Sequence, residues 1–213
     1  MAADGTQGNA GSNNAVISRD GRYVAFTSWS TNLVPADPPL PRLQVRGYLR
    51  DLRDGTVERV TVDGVMAGVR DFSASGERVV LKAGDALYVR DLPTGLTQRV
   101  DVDLGDFTGG YPDEPRISGS GRYVVFSESS PSNAPVNGGT RIYVRDLLEG
   151  TTQWVSPPST GPEKYDAHGP VISDDGQRIA YTYLRRVPPA YGHVPGDTNG
   201  VWDVFARTLP AVP

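Results

Sequence analysis

The sequence predicts an all-β fold built from four copies of one sheet-forming repeat. Three observations support this prediction: a short sequence word recurs four times, each copy contains turn residues at matching places, and glycine and proline are abundant. The chain of 213 residues contains 25 glycines and 18 prolines, which suits many short strands joined by turns. We therefore expect a single all-β domain that covers residues 1–213.

The recurring word is centred on a turn glycine. Its four forms are AVISRDGRYVAF, DFSASGERVVL, RISGSGRYVVF and VISDDGQRIAY. Each form predicts two strands joined by a hairpin, because glycine adopts positive φ at little steric cost. Apolar residues occupy consecutive positions in the second strand, which predicts that both faces of the sheet are buried. The turn glycines are Gly21, Gly76, Gly121 and Gly176.

A second word follows in each copy and predicts two further strands. It reads RGYLRDLRDGTVERVTV, ALYVRDLPTGLTQRVDV and RIYVRDLLEGTTQWVS in the first three copies, and DVFARTLPAVP in the last. Sheets buried on both faces, in a chain without a helical pattern to cover them, stack on copies of themselves. The predicted architecture is a β-propeller of about four four-stranded blades, with repeats at about 15–64, 69–103, 115–157 and 170–213.

The fourth copy stops after its predicted third strand, so we expect the last blade to lack its outer strand. Two arrangements remain open: a small four-bladed ring with one thin blade, or an open arc that another chain completes. A piece cut from a longer protein would have the same ends. Because an unpaired strand edge is a template for association, a homo-oligomer formed through this edge is one expected partnership.

The words SRDGRYVAF and YVRDL resemble the repeat of TolB-like propellers, a WD40-like group with the pattern S-x-D-G-x-x-I-A-F followed by I-Y-x-x-D-L. The resemblance covers nearly the whole chain. It implies a propeller that serves as an adaptor surface, as a gating domain of a peptidase or, occasionally, as a lyase. It also slightly favours a secreted or periplasmic location, although no signal peptide is recognisable in this chain.

Composition excludes several classes of function. The formal net charge is −4 and no run of five basic residues occurs, which argues against nucleic acid as a partner. The absence of cysteine excludes disulfides, thiolate metal sites and a cysteine nucleophile. Nowhere do 18 apolar residues follow one another, so we expect a soluble chain with no membrane partner.

Polar residues of mixed charge lie in the segments that lead into the first strand of each copy. We predict that these segments are loops that meet at the mouth of the central channel. One interpretation is a binding site for a peptide, a protein or a glycan, and the other is solvated loop residues without a ligand. The candidate ligand-binding residues are Asn13, Asn14, Arg70, Asp71, Tyr111, Arg116, Tyr165 and His168.

His168 is the best candidate for a general base, because unperturbed histidine titrates near pH 6.5. In an enzyme it would act with Asp113, Glu114 or Asp166, as a lyase-like or tailoring catalyst. No GxSxG nucleophile elbow accompanies these residues. The lyases of the TolB-like group use several histidines with a metal, and two histidines cannot rebuild that site, so zinc or manganese catalysis is disfavoured. We therefore favour a non-enzymatic binding module.

A weak calcium pattern occurs near the end of the chain. Asp197, Asn199 and Asp203 offer oxygen ligands at spacings that resemble the opening of a calcium loop. The distal bidentate glutamate is missing, and Asp-x-Asn-Gly is also an ordinary turn sequence. We therefore expect no cofactor, with calcium as the alternative.

The repeated arginine and aspartate of the second word predict a structural role at the strand edge or the neighbouring turn. They are Arg50, Arg90, Arg145 and Arg207, with Asp51, Asp91 and Asp146 beside three of them. The recurring aromatics at Tyr48, Tyr88, Tyr143 and Phe205 predict core positions.

Proline-rich insertions follow the second strands of copies one and four and depart from the repeat. Proline stiffening lowers the cost of ordering on binding, so these insertions are further candidates for recognition. Proline equally protects sheet edges. The insertions carry aromatic residues that we expect to be exposed, namely Trp29, Tyr183, Tyr191 and Trp202.

Overall fold

A computed structural model describes residues 1–35, 45–105, 110–130, 139–156, 165–185 and 201–209. These residues form fifteen strands, β1 to β15. Among the described residues there is no helix long and apolar enough to cross a membrane. The chain packs as two compact units, Met1–Gln98 and Arg99–Pro213, which we describe separately, and the single domain stays a prediction.

The first unit is built on an open sheet of eight strands that are hydrogen-bonded in chain order. Asp63 and Gly64 form the turn between its two blades, both at positive φ, as hairpin turns of two residues require. Blade 1 contains β1 (Ser12–Ile17), β2 (Tyr23–Ser28), β3 (Arg46–Asp51) and β4 (Val57–Val62). Blade 2 contains β5 (Val65–Phe72), β6 (Arg78–Ala83), β7 (Ala86–Asp91) and β8 (Thr97–Arg99).

The second unit is built on an open sheet of seven strands. Its two blades are joined by one parallel pair, Thr140 of β11 with Asp166 of β13. Blade 3 contains β9 (Tyr111–Ile117), β10 (Tyr123–Ser129), β11 (Thr140–Asp146) and β12 (Thr151–Trp154). Blade 4 contains β13 (Tyr165–Ile172), β14 (Arg178–Arg185) and β15 (Asp203–Thr208).

The predicted all-β, propeller-like architecture is confirmed. Blades 1 to 3 each contain four strands, whereas the described part of blade 4 contains three, with β15 at the edge of the sheet. Neither sheet is closed on itself by hydrogen bonds between described strands. The last blade therefore lacks an outer strand within the described residues, as the sequence predicts.

The turn glycines adopt the backbone conformation that the sequence predicts. Gly21 has a φ of 73°, and the other three lie between 72° and 76°. In each turn the glycine N–H donates to the carbonyl oxygen of the serine three residues earlier, at 2.9 Å. The serine hydroxyl oxygen in turn accepts the N–H that opens the second strand, as Ser18 does from Tyr23 at 2.9 Å. One residue type in one conformation thus sets the same hairpin four times.

Each unit has its own apolar core between its two blades. In the first unit, Ala25 and Leu49 of blade 1 belong to one buried cluster with Val69 and Leu81 of blade 2. In the second unit, the core contains Val125, Ile142 and Val144 of blade 3 with Ile179 and Tyr181 of blade 4.

Burial of both sheet faces is confirmed in blades 2 and 3 and is incomplete in blades 1 and 4. Val79 and Val80, which point to opposite faces of blade 2, are both buried, and so are Val124 and Val125 of blade 3. In β2 of blade 1, Ala25 and Thr27 are buried on one face, whereas on the other face Val24 and Phe26 are half-buried and Ser28 is buried. In blades 1 and 4, one face of the second strand is therefore less completely covered than the other.

The recurring aromatic of the third strand packs across the sheet against the second strand. Of the four predicted core positions, Tyr48 and Tyr143 are buried, whereas Tyr88 and Phe205 are half-buried. Tyr48 lies directly opposite Phe26, and their ring centroids are 5.6 Å apart. The corresponding pairs, Phe126 with Tyr143 and Tyr181 with Phe205, are stacked at 5.9 Å and 6.1 Å. Tyr88 is opposite Leu81 instead.

The two blades of the first unit approach most closely where Gly47 of β3 meets Ala67 of β5. A Cβ atom on Gly47 would lie 1.7 Å from the carbonyl oxygen of Ala67. The residues at the same place in blades 2 and 3 are Leu87 and Ile142. Only glycine fits this contact, because the obstacle is main chain rather than a side chain that can rotate.

The repeated aspartate stabilises the turn that follows its strand. Oδ1 of Asp51 accepts hydrogen bonds from the N–H groups of Arg53 and Asp54, at 2.8 Å and 3.1 Å. Oδ2 of Asp51 accepts from Arg22 at 2.7 Å. Asp146 has the same arrangement with Arg122. These contacts agree with the structural role that the sequence predicts for the repeated aspartate.

The repeated arginine reaches the segment that precedes its own blade. Nη1 of Arg50 donates to the carbonyl oxygens of Met1 and Ala2, at 2.6 Å and 3.2 Å. Nη1 of Arg207 donates to the carbonyl oxygen of Val155, at 2.8 Å. Further contacts of this kind join Arg90 to the Thr61 carbonyl oxygen and Arg145 to Asp103 Oδ2, and Arg145 also donates to Thr152 Oγ1 within its own blade. Each arginine therefore works as a clamp on the preceding stretch of chain.

Candidate functional site

The predicted binding residues lie in the first strand of each blade. Asn13 and Asn14 belong to β1, Arg70 and Asp71 to β5, residues 111–116 to β9 and residues 165–168 to β13. The prediction that they lie in loops is therefore wrong. It failed because these stretches carry polar residues and two of them, β9 and β13, contain proline, which is typical of loops but is also compatible with an irregular strand.

The irregularity is a β-bulge, and it recurs at the same place in all four first strands. The pairing with the second strand shifts between Asn13 and Val16, and between Asp113 and Arg116. It also shifts between Val69 and Asp71, and between His168 and Val171. Bulges re-aim side chains next to binding and active sites. Counted back eight residues from the turn glycines, the equivalent positions are Asn13, Gly68, Asp113 and His168.

The bulges of blades 1, 3 and 4 share one hydrogen bond and one backbone conformation. A hydroxyl of the second strand donates to the carbonyl oxygen at the bulge, as Ser127 does to Asp113 and Thr182 to His168, both at 3.0 Å. The next residue has positive φ: 51° at Asn14, 50° at Glu114 and 59° at Gly169. A non-glycine residue in this conformation is uncommon and marks a backbone shape that the surroundings enforce.

In the second unit, the bulges of blades 3 and 4 place Glu114 beside His168, and Trp202 lies next to them. Oε2 of Glu114 accepts a hydrogen bond from the N–H of Gly169 at 3.0 Å and lies 3.5 Å from Nδ1 of His168. The His168 ring lies against Trp202, with centroids 5.6 Å apart and planes at 58°. We call Glu114, His168 and Trp202 the inner-strand site.

The inner-strand site is open to solvent. The side chains of His168 and Glu114 are 41% and 42% exposed, and Trp202 is 45% exposed. The 3.5 Å approach of Nδ1 to Oε2 exceeds the usual length of a hydrogen bond. General acid–base chemistry depends on a sheltered site in which water does not screen the reacting charges. The arrangement therefore offers a carboxylate, an imidazole and an indole face for contact with a ligand.

The other predicted residues of the second unit lie near Glu114 or His168 in the sequence but are not part of the inner-strand site. Tyr111, Asp113 and Arg116 are exposed on β9, and Asp166 is half-buried on β13. The backbone of Tyr165 lies in β13, and its side chain is outside the described residues. Of the candidate catalytic carboxylates, Glu114 is the one that the structure places beside His168.

Two of the predicted residues of the first unit are held by neighbours in their own blades. Thr27 donates its hydroxyl to the side-chain and main-chain oxygens of Asn13, and Asp71 accepts from the N–H of Phe72 at 3.0 Å. Arg70 is half-buried, and its Nε has no hydrogen-bond partner among the described residues. That these residues share a channel mouth with those of the second unit stays a prediction.

The calcium hypothesis rests mostly on residues outside the described ranges. Asp197 and Asn199 lie there, and Asp203 is a half-buried residue at the start of β15. Within the described residues, no group of three or more histidine, aspartate or glutamate side chains is arranged to hold a metal ion. The inner-strand site has one carboxylate and one imidazole and is not such a group.

The proline-rich insertions lie largely in residues 36–44 and 186–200, outside the described ranges, and so does Tyr191. Trp29 and Trp202 are exposed, as predicted. The expectation of an exposed Tyr183 is wrong, because its side chain is 5% exposed and packs edge-on against Phe205 at 5.5 Å. Sequence reasoning also missed that Trp202 contacts His168, since 34 positions separate them and only the sheet brings them together.

Comparisons with known proteins identify the fold. No protein-family profile matches this chain, and no curated protein matches it. Similar crystal structures include TolB from Acinetobacter baumannii, which is 20% identical over 93% of this chain and 41% of that chain, with a TM-score of 0.53. The putative TolB from Agrobacterium tumefaciens is 15% identical over 95% of this chain and 76% of that chain, with a TM-score of 0.54.

The tricorn protease is a third similar structure, 16% identical over 95% of this chain and 22% of that chain, with a TM-score of 0.57. This chain therefore has a TolB-like β-propeller fold. It spans 41% of the length of the Acinetobacter TolB and 22% of the tricorn protease. At these identities the likeness concerns the fold alone.

Proposed function

We propose that this chain, with its TolB-like propeller fold, is a non-enzymatic binding or assembly module that holds a segment of polypeptide at the inner-strand site. The observation that carries the proposal is the exposed group of Glu114, His168 and Trp202, in which the N–H of Gly169 donates a hydrogen bond to Glu114. The similarity to a protein named as a protease supports a polypeptide ligand over other classes.

The three side chains suit complementary parts of a peptide. Glu114 accepts hydrogen bonds from amide or ammonium groups, and charge-assisted bonds of this kind are among the stronger ones. Trp202 presents an aromatic face to an apolar or cationic side chain. His168 lies between them and offers a ring nitrogen. Because the bulges fix the backbone on both strands, the group needs little ordering when a ligand arrives.

The second candidate function is a lyase-like or tailoring enzyme that uses the same residues. It is favoured by the approach of Glu114 to Nδ1 of His168, since a carboxylate in this position orients an imidazole base. The exposure of both side chains favours binding. Replacing His168 by alanine separates the two, because catalysis would fall by orders of magnitude and peptide binding would change only a few-fold.

The test begins with selection of peptides from a random phage-displayed library against the purified chain. The strongest peptide is then titrated into the wild type and the variants Trp202→Ala and Trp29→Ala. We expect Trp202→Ala to weaken binding by about tenfold or more, because buried aromatic contacts dominate such interfaces. Trp29→Ala, the control for loss of an exposed tryptophan, should bind like the wild type.

Two results would contradict the proposal. One is the selection of no peptide, with binding seen instead on an array of glycans, which would assign the site to glycans. The other is a selected peptide whose affinity is equal in wild type and Trp202→Ala, which would place the binding surface elsewhere.

A further inference from the structure

The two blades of the first unit pack through two sets of residues. The third strand of blade 1 supplies Gly47 and Leu49, and the first strand of blade 2 supplies Ala67 and Phe72. Leu49, Ala67 and Phe72 belong to one buried cluster, and Gly47 is the residue that meets the main chain of Ala67. The contact therefore joins the third strand of one blade to the first strand of the next.

The second unit repeats this contact with residues of its own. The third strand of blade 3 supplies Ile142 and Val144, and the first strand of blade 4 supplies Ala167 and Ile172. These four residues pack in one buried cluster. They occupy the same positions as the residues of the first unit, counted from the recurring aromatic and from the turn glycine. One kind of contact between blades is therefore used in both units.

Blade 1 carries the first-strand set at the same positions, but there the residues are exposed. They are Ser12 and Ile17, and the side chain of Ile17 is 62% exposed. Val24, which lies opposite Ile17 in the sheet, is half-buried, whereas its counterpart Val79 in blade 2 is buried. We call Ser12, Ile17 and Val24 the leading face.

Blade 4 carries the third-strand set, and that set is exposed as well. Val204 and Ala206 occupy positions that are buried in β3, β7 and β11, yet Val204 is 77% exposed and Ala206 is exposed. Ala180, which lies opposite Ala206 in the sheet, is half-buried, whereas its counterpart Ala25 in blade 1 is buried. We call Ala180, Val204 and Ala206 the trailing face.

The repeat itself indicates what covers these two faces. Single exposed apolar residues are ordinary on a protein surface, but these residues stand at positions where, within each unit, a neighbouring blade of the same repeat provides the cover. Both contacts within the units join a third-strand set to a first-strand set. The chain carries one exposed set of each kind, so a second copy supplies the matching half to either face.

We propose that the trailing face of one copy packs against the leading face of a second copy, head to tail. The contact joins the faces of two sheets and so differs from the edge pairing that the sequence predicts. Because it joins two different surfaces, it produces a closed ring or an open filament. It does not use Glu114, His168 or Trp202, so it stands or falls independently of the function proposed above.

The assay is the mass of the protein in solution, measured by light scattering and sedimentation velocity over a range of concentrations. We expect the wild type to assemble as its concentration rises. Ile17→Asp and Val204→Asp each place a carboxylate on one face, and each should raise the dissociation constant about tenfold or more, because an unpaired charge is costly in an apolar contact. Leu148→Asp adds the same charge at an exposed leucine in the turn after β11; it is the matched control and should assemble like the wild type.

A mixture of the two variants tests the head-to-tail geometry directly. Ile17→Asp keeps an intact trailing face, and Val204→Asp keeps an intact leading face. An equimolar mixture should therefore form a complex that stops at two copies, at concentrations where neither variant assembles alone. A symmetric contact between two like surfaces would not be restored by mixing, because each variant would bring either two altered surfaces or two intact ones.

Urea unfolding of dilute protein checks that the variants fold. Because the replaced side chains are exposed, the urea midpoints should match that of the wild type. Ala206→Glu is a second variant of the trailing face and replaces Val204→Asp in every experiment if that variant is unstable.

Three results would overturn the proposal. The first is a wild type that remains a single copy up to about 1 mM, the limit of weak specific association. The second is assembly of the leading-face and trailing-face variants at the same concentrations as the wild type. The third is an equimolar mixture in which no complex of two copies forms although the wild type assembles.

Discussion

Replacing Gly47 by alanine tests the close approach of blades 1 and 2. The added Cβ would lie 1.7 Å from the carbonyl oxygen of Ala67 and 2.8 Å from its carbonyl carbon, and contacts under 3.0 Å are essentially never seen. One strand must therefore move by about 1 Å against a packed core. Overpacking typically costs 1–3 kcal/mol, and we expect a loss of about 3 kcal/mol or more because main chain must move.

The matched control is Gly68→Ala, on the opposing strand. A Cβ there would meet only Cγ2 of Thr27, at 3.6 Å, an ordinary contact. Its free energy of unfolding should stay within about 0.5 kcal/mol of the wild type. Urea unfolding followed by tryptophan fluorescence, at equal m-values, measures both variants. A Gly47→Ala protein as stable as the wild type, or equal losses in the two variants, would refute the steric argument.

Two further predictions concern the repeated charged word. The hydrogen bond from Arg22 is the largest cause that lowers the pKa of Asp51 in the folded chain. The stabilisation of the fold by ionised Asp51 is therefore complete above the unfolded pKa of about 3.9, and it is lost as pH falls through the lower folded pKa. Wild type and Asp51→Asn should therefore differ in free energy of unfolding at pH 6 and converge below about pH 4; a constant difference would contradict this. Arg145→Gln removes the contacts to Asp103 and Thr152 and should cost about 1–2 kcal/mol in urea unfolding; full rescue by Arg145→Lys would contradict a role for the guanidinium shape.

The fold was predictable because its determinants are local and repeated. The turn at Gly21 depends on one residue type with positive φ, and the apolar run after it specifies a strand that is covered on both faces. The stacking of Tyr48 on Phe26 follows from the same register. Four copies of each signal outweigh the ambiguity that any single copy carries.

The bulges were not predictable, because their sequences share no residue type. Blades 1, 3 and 4 have Asn-Asn-Ala, Asp-Glu-Pro and His-Gly-Pro at equivalent positions. A partial signal exists in hindsight, because proline follows the residue with positive φ in two of the three blades, after Glu114 and after Gly169. The pairing of Glu114 with His168 depends on both bulges and on the joining of β11 to β13, which no local pattern specifies.

The departure of blade 2 from the repeat, by contrast, can be read in the sequence as a change from Arg-Tyr to Glu-Arg at Glu77 and Arg78. It includes Thr94, sixteen positions later, where blades 1 and 3 have an acid, and Thr94 lies beside Arg78 only after the hairpin of β6 and β7 has formed. Distant departures from a repeat become informative when they fall at one place in the sheet.

The arginine clamps have a consequence for the evolutionary history of such chains. Arg90 and Arg207 donate to main-chain oxygens of the preceding copy, and Arg50 donates to those of Met1 and Ala2 ahead of the first copy. Because every residue has a main-chain oxygen, these contacts make no demand on the side chains there. Duplication, deletion or exchange of a copy by recombination then needs no compensating substitution in the neighbouring copy at these contacts. The joint at Arg145 differs, because Asp103 contributes a side chain, and this joint therefore depends on a residue type in the preceding copy.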